Sequence, residues 1–241
     1  MSGHSKWNNI KHKKEKSDAA KAKIFTKIGK EMAVAIKAGG PDPNNNSKLR
    51  DLISKAKANN VPNENIQRTI KKFTDNNDIN YEEITYEGYG PSGVAIIVET
   101  STDNRNRTAG NVRAWFNKYG GNMGQTGSVS FMFEEKGVIT IMDEDGEIDE
   151  DKMMEDALEC GAEDIKCEEG EFTIYTETSE LDAVRDAVIA LGYKIDTADV
   201  AKVPSTYVTL ENEEDIENME KMLDKFNEDD DVNAVYHNWN A

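Results

Sequence analysis

The 241-residue chain predicts an α+β protein: an N-terminal three-helix domain followed by two ferredoxin-like α/β domains, the third inserted in the second. Three observations carry this. Apolar residues recur at helical spacing up to Phe73, and the period changes to two beyond Asn80. From Gly137 the chain reads strand, helix, strand, strand, helix, strand.

From Ser17 to Lys37, Ile24, Phe25, Ile28, Met32, Ala35 and Ile36 form one stripe, and Gly39-Gly40 ends it. The remaining positions carry Lys21, Lys23, Lys27, Lys30 and Lys37, so the solvent face of this helix is positive. After the breaker-rich loop Gly39 to Asn46, Ser47 is the expected N-cap of a second helix running to Ala58, with Leu49, Leu52, Ile53 and Ala56 buried. A third helix begins near Pro62, uses Ile66, Ile70 and Phe73, and carries Arg68, Lys71 and Lys72. These helices predict a basic domain over 1–79.

Glu82 to Tyr86 reads as a strand, Gly88 to Gly93 as a turn, and Val94 to Thr100 as the next strand. Thr102 to Thr108 opens a helix capped by Thr102 or Asp103, with Val112, Trp115, Phe116 and Tyr119 packing inward. Ser128 to Glu134 is the following strand. Then come a strand at Val138 to Met142, a helix at Asp149 to Cys160, a hairpin of 164–167 and 172–176, a helix at Glu180 to Leu191 and a strand at Lys194 to Ala201. Beyond Pro204 follow a strand at Thr206 to Leu210, a helix at Glu213 to Phe226 and a strand at Val232 to His237. Joined to 94–134, these last three complete a second β-α-β-β-α-β unit. The expected division is therefore 80–136 plus 203–241 for the second domain and 137–202 for the insert, whose two ends must lie close together.

The formal charge of −18 hides a separation. Residues 1–80 hold 17 Lys/Arg and 8 Asp/Glu, whereas 81–241 hold 12 and 39. Such asymmetry points the first third at a polyanion while the remainder repels one. The most basic stretch is the arm of residues 1–14, with Lys6, Lys11, Lys13 and Lys14 interleaved with His4, Trp7 and His12. Lysines release counterions from phosphates, and an indole stacks on bases. The competing reading is a frayed terminus with Trp7 tucked against the first helix. Arg105 and Arg107, beside the free N–H groups of a helix start, form either a phosphate pocket or ion pairs with neighbouring carboxylates.

The longest aliphatic run, Val94 to Val98, is far short of the about 20 residues of a membrane span, and no secretory h-region precedes it, so a cytoplasmic protein without membrane contact is expected. Cys160 and Cys167 make neither a disulfide framework nor a zinc site. Gly88-Tyr-Gly-Pro-Ser-Gly93 matches the dinucleotide-binding spacing but opens a strand and contains Pro91, which excludes that reading. Setting Gly146 at the sixth position of a calcium loop puts Ile141 and Lys152 where carboxylates are needed. With three histidines and no nucleophile-base grouping, no catalytic residues, metal or cofactor are expected.

Several longer stretches carry a resemblance. Gly3-His-Ser-Lys-Trp7, Asn9-Ile-Lys-His-Lys-Lys14, Lys23-Ile-Phe-Thr-Lys27, Tyr86-Glu-Gly-Tyr-Gly-Pro91, Thr102-Asp-Asn-Arg-Asn-Arg-Thr108, Gly120-Gly-Asn-Met-Gly124 and Gly127-Ser-Val129 are similar in sequence and order to the YebC/PmpR family. That family includes the mitochondrial translational activator of cytochrome c oxidase I. The resemblance implies three domains, no enzyme activity and a role in gene expression. Members are described as DNA-binding transcriptional regulators, and others act on translation at the ribosome, relieving stalling at proline-rich stretches. The expected nucleic-acid contacts are His4, Lys6, Trp7, Lys11, His12, Lys13, Lys14, Lys21, Lys23, Lys27, Arg105 and Arg107, facing DNA or ribosomal RNA and tRNA.

Overall fold

The computed structural model describes residues 18–75, 80–143, 145–168 and 170–240, with side chains from Ala22 onward. These fall into two compact units, one containing 18–131 and Val208–Trp239, the other Met132–Tyr207.

In the larger unit, α1 (Asp18–Gly39), α2 (Ser47–Ala58) and α3 (Asn63–Asp75) enclose Ile28, Met32, Ala35, Leu49, Leu52, Ile66 and Ile70. This is the stripe set by the helical period. The N-cap of α2 is Asn46 rather than Ser47: its Oδ1 accepts from Leu49 N at 3.1 Å, and its amide donates to Ala35 O and Gly40 O, both at 2.8 Å. One buried amide thus starts α2 and fastens the end of α1, a double role open to Asn and closed to Ser.

The helices adjoin a four-stranded sheet in the order β3-β1-β2-β9, formed by β1 (Glu82–Tyr89), β2 (Ala95–Thr102), β3 (Asn122–Met123) and β9 (Val232–His237). All its pairings are antiparallel. Helices α4 (Arg105–Lys118) and α7 (Glu213–Glu228) pack together, with Phe116 5.2 Å from Phe226 between ring centres. Strand β2 is buried almost throughout, as a central strand covered on both faces must be. The layout is ferredoxin-like, but its strands differ from those the periodicity predicts. Thr206 to Leu210 does not enter the sheet; only Val208–Thr209 (β8) is extended there, and β1 occupies the central place. Ser128 to Glu134 is likewise no single strand: Ser130–Met132 makes a 3-10 turn, and β4 (Phe133–Met142) belongs wholly to the other unit.

The smaller unit is a continuous β-α-β-β-α-β run, with α5 (Glu150–Glu159), β5 (Asp164–Glu168), β6 (Glu171–Thr176), α6 (Leu181–Ala190) and β7 (Thr197–Pro204) following β4. Its sheet order is β5-β6-β4-β7, all antiparallel. Ile139, Ile141, Met153, Phe172, Ile174, Val184 and Val188 form its core. Its two ends meet: Phe133 pairs with Pro204, and Ser205 N donates to Met132 O at 2.8 Å. Among the described residues no helix is long and apolar enough to cross a membrane.

Candidate nucleic-acid interface

The arm residues His4, Lys6, Trp7, Lys11, His12, Lys13 and Lys14 lie outside the described residues, as does the side chain of Lys21. The other expected contact residues sit in the larger unit, where their surroundings are defined.

Helix α1 turns three lysines, spaced about one turn apart, toward the C-terminal end of α7. Lys23 Nζ donates to Glu228 O at 3.2 Å, Lys27 Nζ to Asn227 O at 2.9 Å, and Lys30 Nζ to Asp230 O at 2.8 Å. A helix C-terminus carries unpaired carbonyls and the negative end of the macrodipole, so ammonium groups are the natural partners there. Lys23 and Lys27 therefore fasten α1 to the end of α7, while Lys23 stays exposed.

Asp231, just past that helix end, is the centre of the arrangement. Lys30 Nζ donates to Oδ1 at 2.6 Å; Arg107 Nη2 at 2.6 Å, Thr108 Oγ1 at 2.9 Å and Thr102 Oγ1 at 3.2 Å donate to Oδ2. Burial by itself raises the carboxyl pKa, but the hydrogen bonds from Lys30, Arg107 and Thr108 outweigh it and hold Asp231 at about 2. The hydrogen bonds that Arg107 donates to Asp231 and then to Asp103, the latter at 2.9 Å, raise its pKa well above the ordinary value. Of the two readings open for the arginines, the ion-paired one therefore describes Arg107. Arg105, one residue past the Asn104 N-cap, is exposed and forms no ion pair with another described residue. The cap is Asn104, whose Oδ1 accepts from Arg107 N at 3.1 Å, rather than Thr102 or Asp103. Thr102 is instead taken up inside the Asp231 cluster.

A second buried carboxylate organises the Gly-rich loop after β3. Glu87, on β1, accepts from Gly127 N and Val129 N at 2.8 Å and from Ser130 N at 2.9 Å. Burial pushes its carboxyl up, and these three backbone donors more than reverse it, leaving the pKa lowered. Glycine is required where the loop meets β1: a Cβ on Gly88 would lie 2.5 Å from Asn122 O, and one on Gly121 2.5 Å from Tyr89 O. Asp231 and Glu87 escape a reading by composition, because each is one acid among 47 and only its position in the fold separates it from the solvated rest.

Elsewhere the helical region shows exposed cations. Arg50, Lys57 and Lys71 face solvent, Lys48 pairs with Glu83 at 2.6 Å and Arg68 with Glu64 at 3.2 Å. Among the described residues no three His, Cys, Asp or Glu side chains are placed to hold a metal ion. Cys160 and Cys167 are free and half-buried, and burial followed by a hydrogen bond to Glu150 pushes the Cys167 thiol up to about 11.

The structure is thus a cationic helical region fastened to an α+β scaffold, with charge segregated along the chain. Comparison with known sequences narrows this. The N-terminal domain profile of TACO1/YebC proteins matches residues 5–76, and the profile of the second and third domains matches 81–239. The chain belongs to the TACO1/YebC family. It is 56% identical over 240 residues to proteins of Agathobacter rectalis and Acetivibrio thermocellus, each called "Probable transcriptional regulatory protein", with 99% of both chains covered in each case. The crystal structure of a conserved hypothetical protein, Aq1575 of Aquifex aeolicus, superposes with a TM-score of 0.81 at 42% identity, covering 92% of this chain and 91% of that one.

Proposed function

We propose that this protein is a non-enzymatic, cytoplasmic, nucleic-acid-binding regulator of gene expression. In this reading 1–79 makes the phosphate contacts, and 80–136 with 203–241 and the inserted 137–202 form an acidic body that limits how much nucleic acid is engaged. The observation that carries it is the separation of charge, 17 cations against 8 acids up to Asn80 and 12 against 39 beyond it. DNA is the target in keeping with the names of the relatives in Agathobacter and Acetivibrio. Contact comes from the arm residues, Lys21 and Arg105, while Lys23 and Lys27 hold the end of α7 and Arg107 holds the Asp231 cluster beside them.

The same charge separation favours a second reading, a translation factor whose basic end enters folded ribosomal RNA or meets tRNA. A long duplex would run past the acidic body and be repelled, whereas a crevice admits only the cationic tip. Polysome fractionation combined with crosslinking in cells separates the two: promoter occupancy without ribosome co-sedimentation leaves DNA as the target. In either case, changing Lys11, Lys13 and Lys14 to Ala lowers the slope of log affinity against log salt by about 2 to 3, at about 0.7 to 0.9 per phosphate contact. An unchanged slope would show that the arm touches no phosphate.

A further inference from the structure

Each of the two four-stranded sheets ends in a pair of edge strands, and three of these four edges carry a feature that discourages further pairing. Strand β3 has only two residues. Strand β5 has five, with Asp164, Lys166 and Glu168 at alternate positions. Strand β9 has six, and its register against β2 breaks between Glu99 and Thr100. Strand β7 differs: eight residues, Thr197–Pro204, pair with β4 in unbroken register, and the one proline stands last. A long, regular edge is a template for another strand unless something blocks it.

The direction of its backbone groups follows from the ladder. Asp143 N donates to Gly170 O at 2.8 Å in register with the β4–β6 pairs, and Ser205 N donates to Met132 O at 2.8 Å in register with the β4–β7 pairs. Antiparallel strands alternate bonded and non-bonded pairs, so the odd-numbered residues of β4 bond to β6 and the even-numbered ones to β7. Thr197, Asp199, Ala201 and Val203 therefore turn their N–H and C=O groups toward β4, whereas Ala198, Val200 and Lys202 turn theirs to the outer edge. Pro204 agrees with this, because its missing N–H falls in the outward set. Among the described residues no strand lies beyond β7. Ala198 packs against the core of the insert, while Val200, two residues on and on the same face, is 47% exposed.

Charge selects the occupant. Residues 137–202 hold 21 Asp/Glu and 5 Lys/Arg, a balance of −16. A second copy would bring the same charge to the edge and be repelled, whereas a cationic segment is drawn to it. We propose that β7 is the docking edge for an extended segment of a partner protein in which apolar residues alternate with lysine or arginine. Its backbone adds a fifth strand beside Ala198, Val200 and Lys202, and an apolar side chain covers Val200. Its cations then fall on the opposite face, the one away from α5 and α6, where Glu134 and Asp199 are exposed. This surface is separate from the phosphate contacts proposed above, so each stands or fails by itself.

The test uses the full chain and a fluorescein-labelled heptapeptide alternating lysine and valine, read by fluorescence anisotropy. A peptide alternating lysine and proline has the same charge but lacks the N–H groups that would face Val200, and it binds more weakly. In the complex with the lysine–valine peptide, hydrogen exchange slows at the amides of Ala198 and Val200 and is unchanged at Asp199 and Ala201, which already face β4. Val200→Pro deletes one outward N–H, leaves the β4 ladder intact and weakens binding by about 2- to 13-fold, the range for one hydrogen bond. Val200→Lys keeps the N–H, sets a cation beside the cationic peptide and also weakens binding, whereas Val200→Ile preserves it. No binding of the lysine–valine peptide, equal affinity for the proline peptide, slowed exchange confined to other amides, or wild-type affinity in both Val200→Pro and Val200→Lys would overturn the inference. So would a free chain that sediments as a dimer with the Ala198 and Val200 amides already protected, since the edge would then belong to a second copy.

Discussion

The two units build the same kind of four-stranded sheet from chain laid out in opposite ways. The inserted sheet takes all its strands from 133–204 in unbroken succession, whereas the larger unit takes β1, β2 and β3 from before the insert and β9 from after it. Their interiors differ in step. The insert closes on an aliphatic and aromatic core around Ile139, Phe172 and Ile174, with the buried Glu171 at the start of β6. The larger unit places two buried carboxylates, Asp231 and Glu87, among converging donors at the points where distant segments meet. Alternating side chains suffice to register neighbouring segments, while segments separated by an entire domain are located by directional contacts that only one arrangement satisfies.

The largest effect that would break this contrast is expected from Asp231→Ala, which leaves Lys30 and Arg107 facing an empty site. Removing one partner of a buried ion cluster costs about 3 to 5 kcal/mol. Hydrogen exchange should show protection lost in α1, α4 and β9 and retained in β4 to β7; loss across both units would mean that they do not stand apart. The same residue predicts a pH signature. Its folded pKa of about 2 lies below the ordinary 3.8, so its contribution is complete above the ordinary value and disappears as pH falls through about 2. Asp231→Asn should flatten that acid limb in a series of thermal melts.

Ile139→Ala tests the other side of the contrast. Truncating this fully buried residue costs about 2 to 5 kcal/mol, and exchange should rise in β4 to β7 while the Asp231 cluster remains protected. The smallest effect is expected for Glu87→Gln, where one amide oxygen must replace two carboxylate oxygens that share three N–H donors. A loss of about 1 to 3 kcal/mol, confined to amides 124–130, would sharpen the assignment of Glu87 as a support for the loop. Unchanged exchange at Val129 and Ser130 would remove that assignment.

Legibility in the sequence followed the same division. The stripes of α1 to α3 and the full element order of the insert could be read directly, because a period of 3.6 or 2 is a property of neighbouring residues. The identity of the strand in the centre of the first sheet could not. Thr206 to Leu210 and Glu82 to Tyr86 both read as strands, and only the folded sheet shows that the second takes the central place. Caps were missed by a residue or two for a related reason: Asn46, Thr102 and Asn104 are adjacent to equally good formers, and long-range partners such as Ala35 O and Asp231 decide among them. Of the expected contact residues, Lys23, Lys27 and Arg107 prove to be occupied with α7 and Asp231, while Arg105 stays open to solvent.

Composition and periodicity by themselves determined the fold class, the cationic first third and the anionic remainder, since each is summed from residues regardless of where the chain later takes them. Which cations stay available for a ligand and which hold the protein together was decided only in three dimensions. A lysine commits to a carbonyl or a carboxylate only when folding brings that group within hydrogen-bonding distance, and the partners on α7 lie some two hundred positions away in the chain.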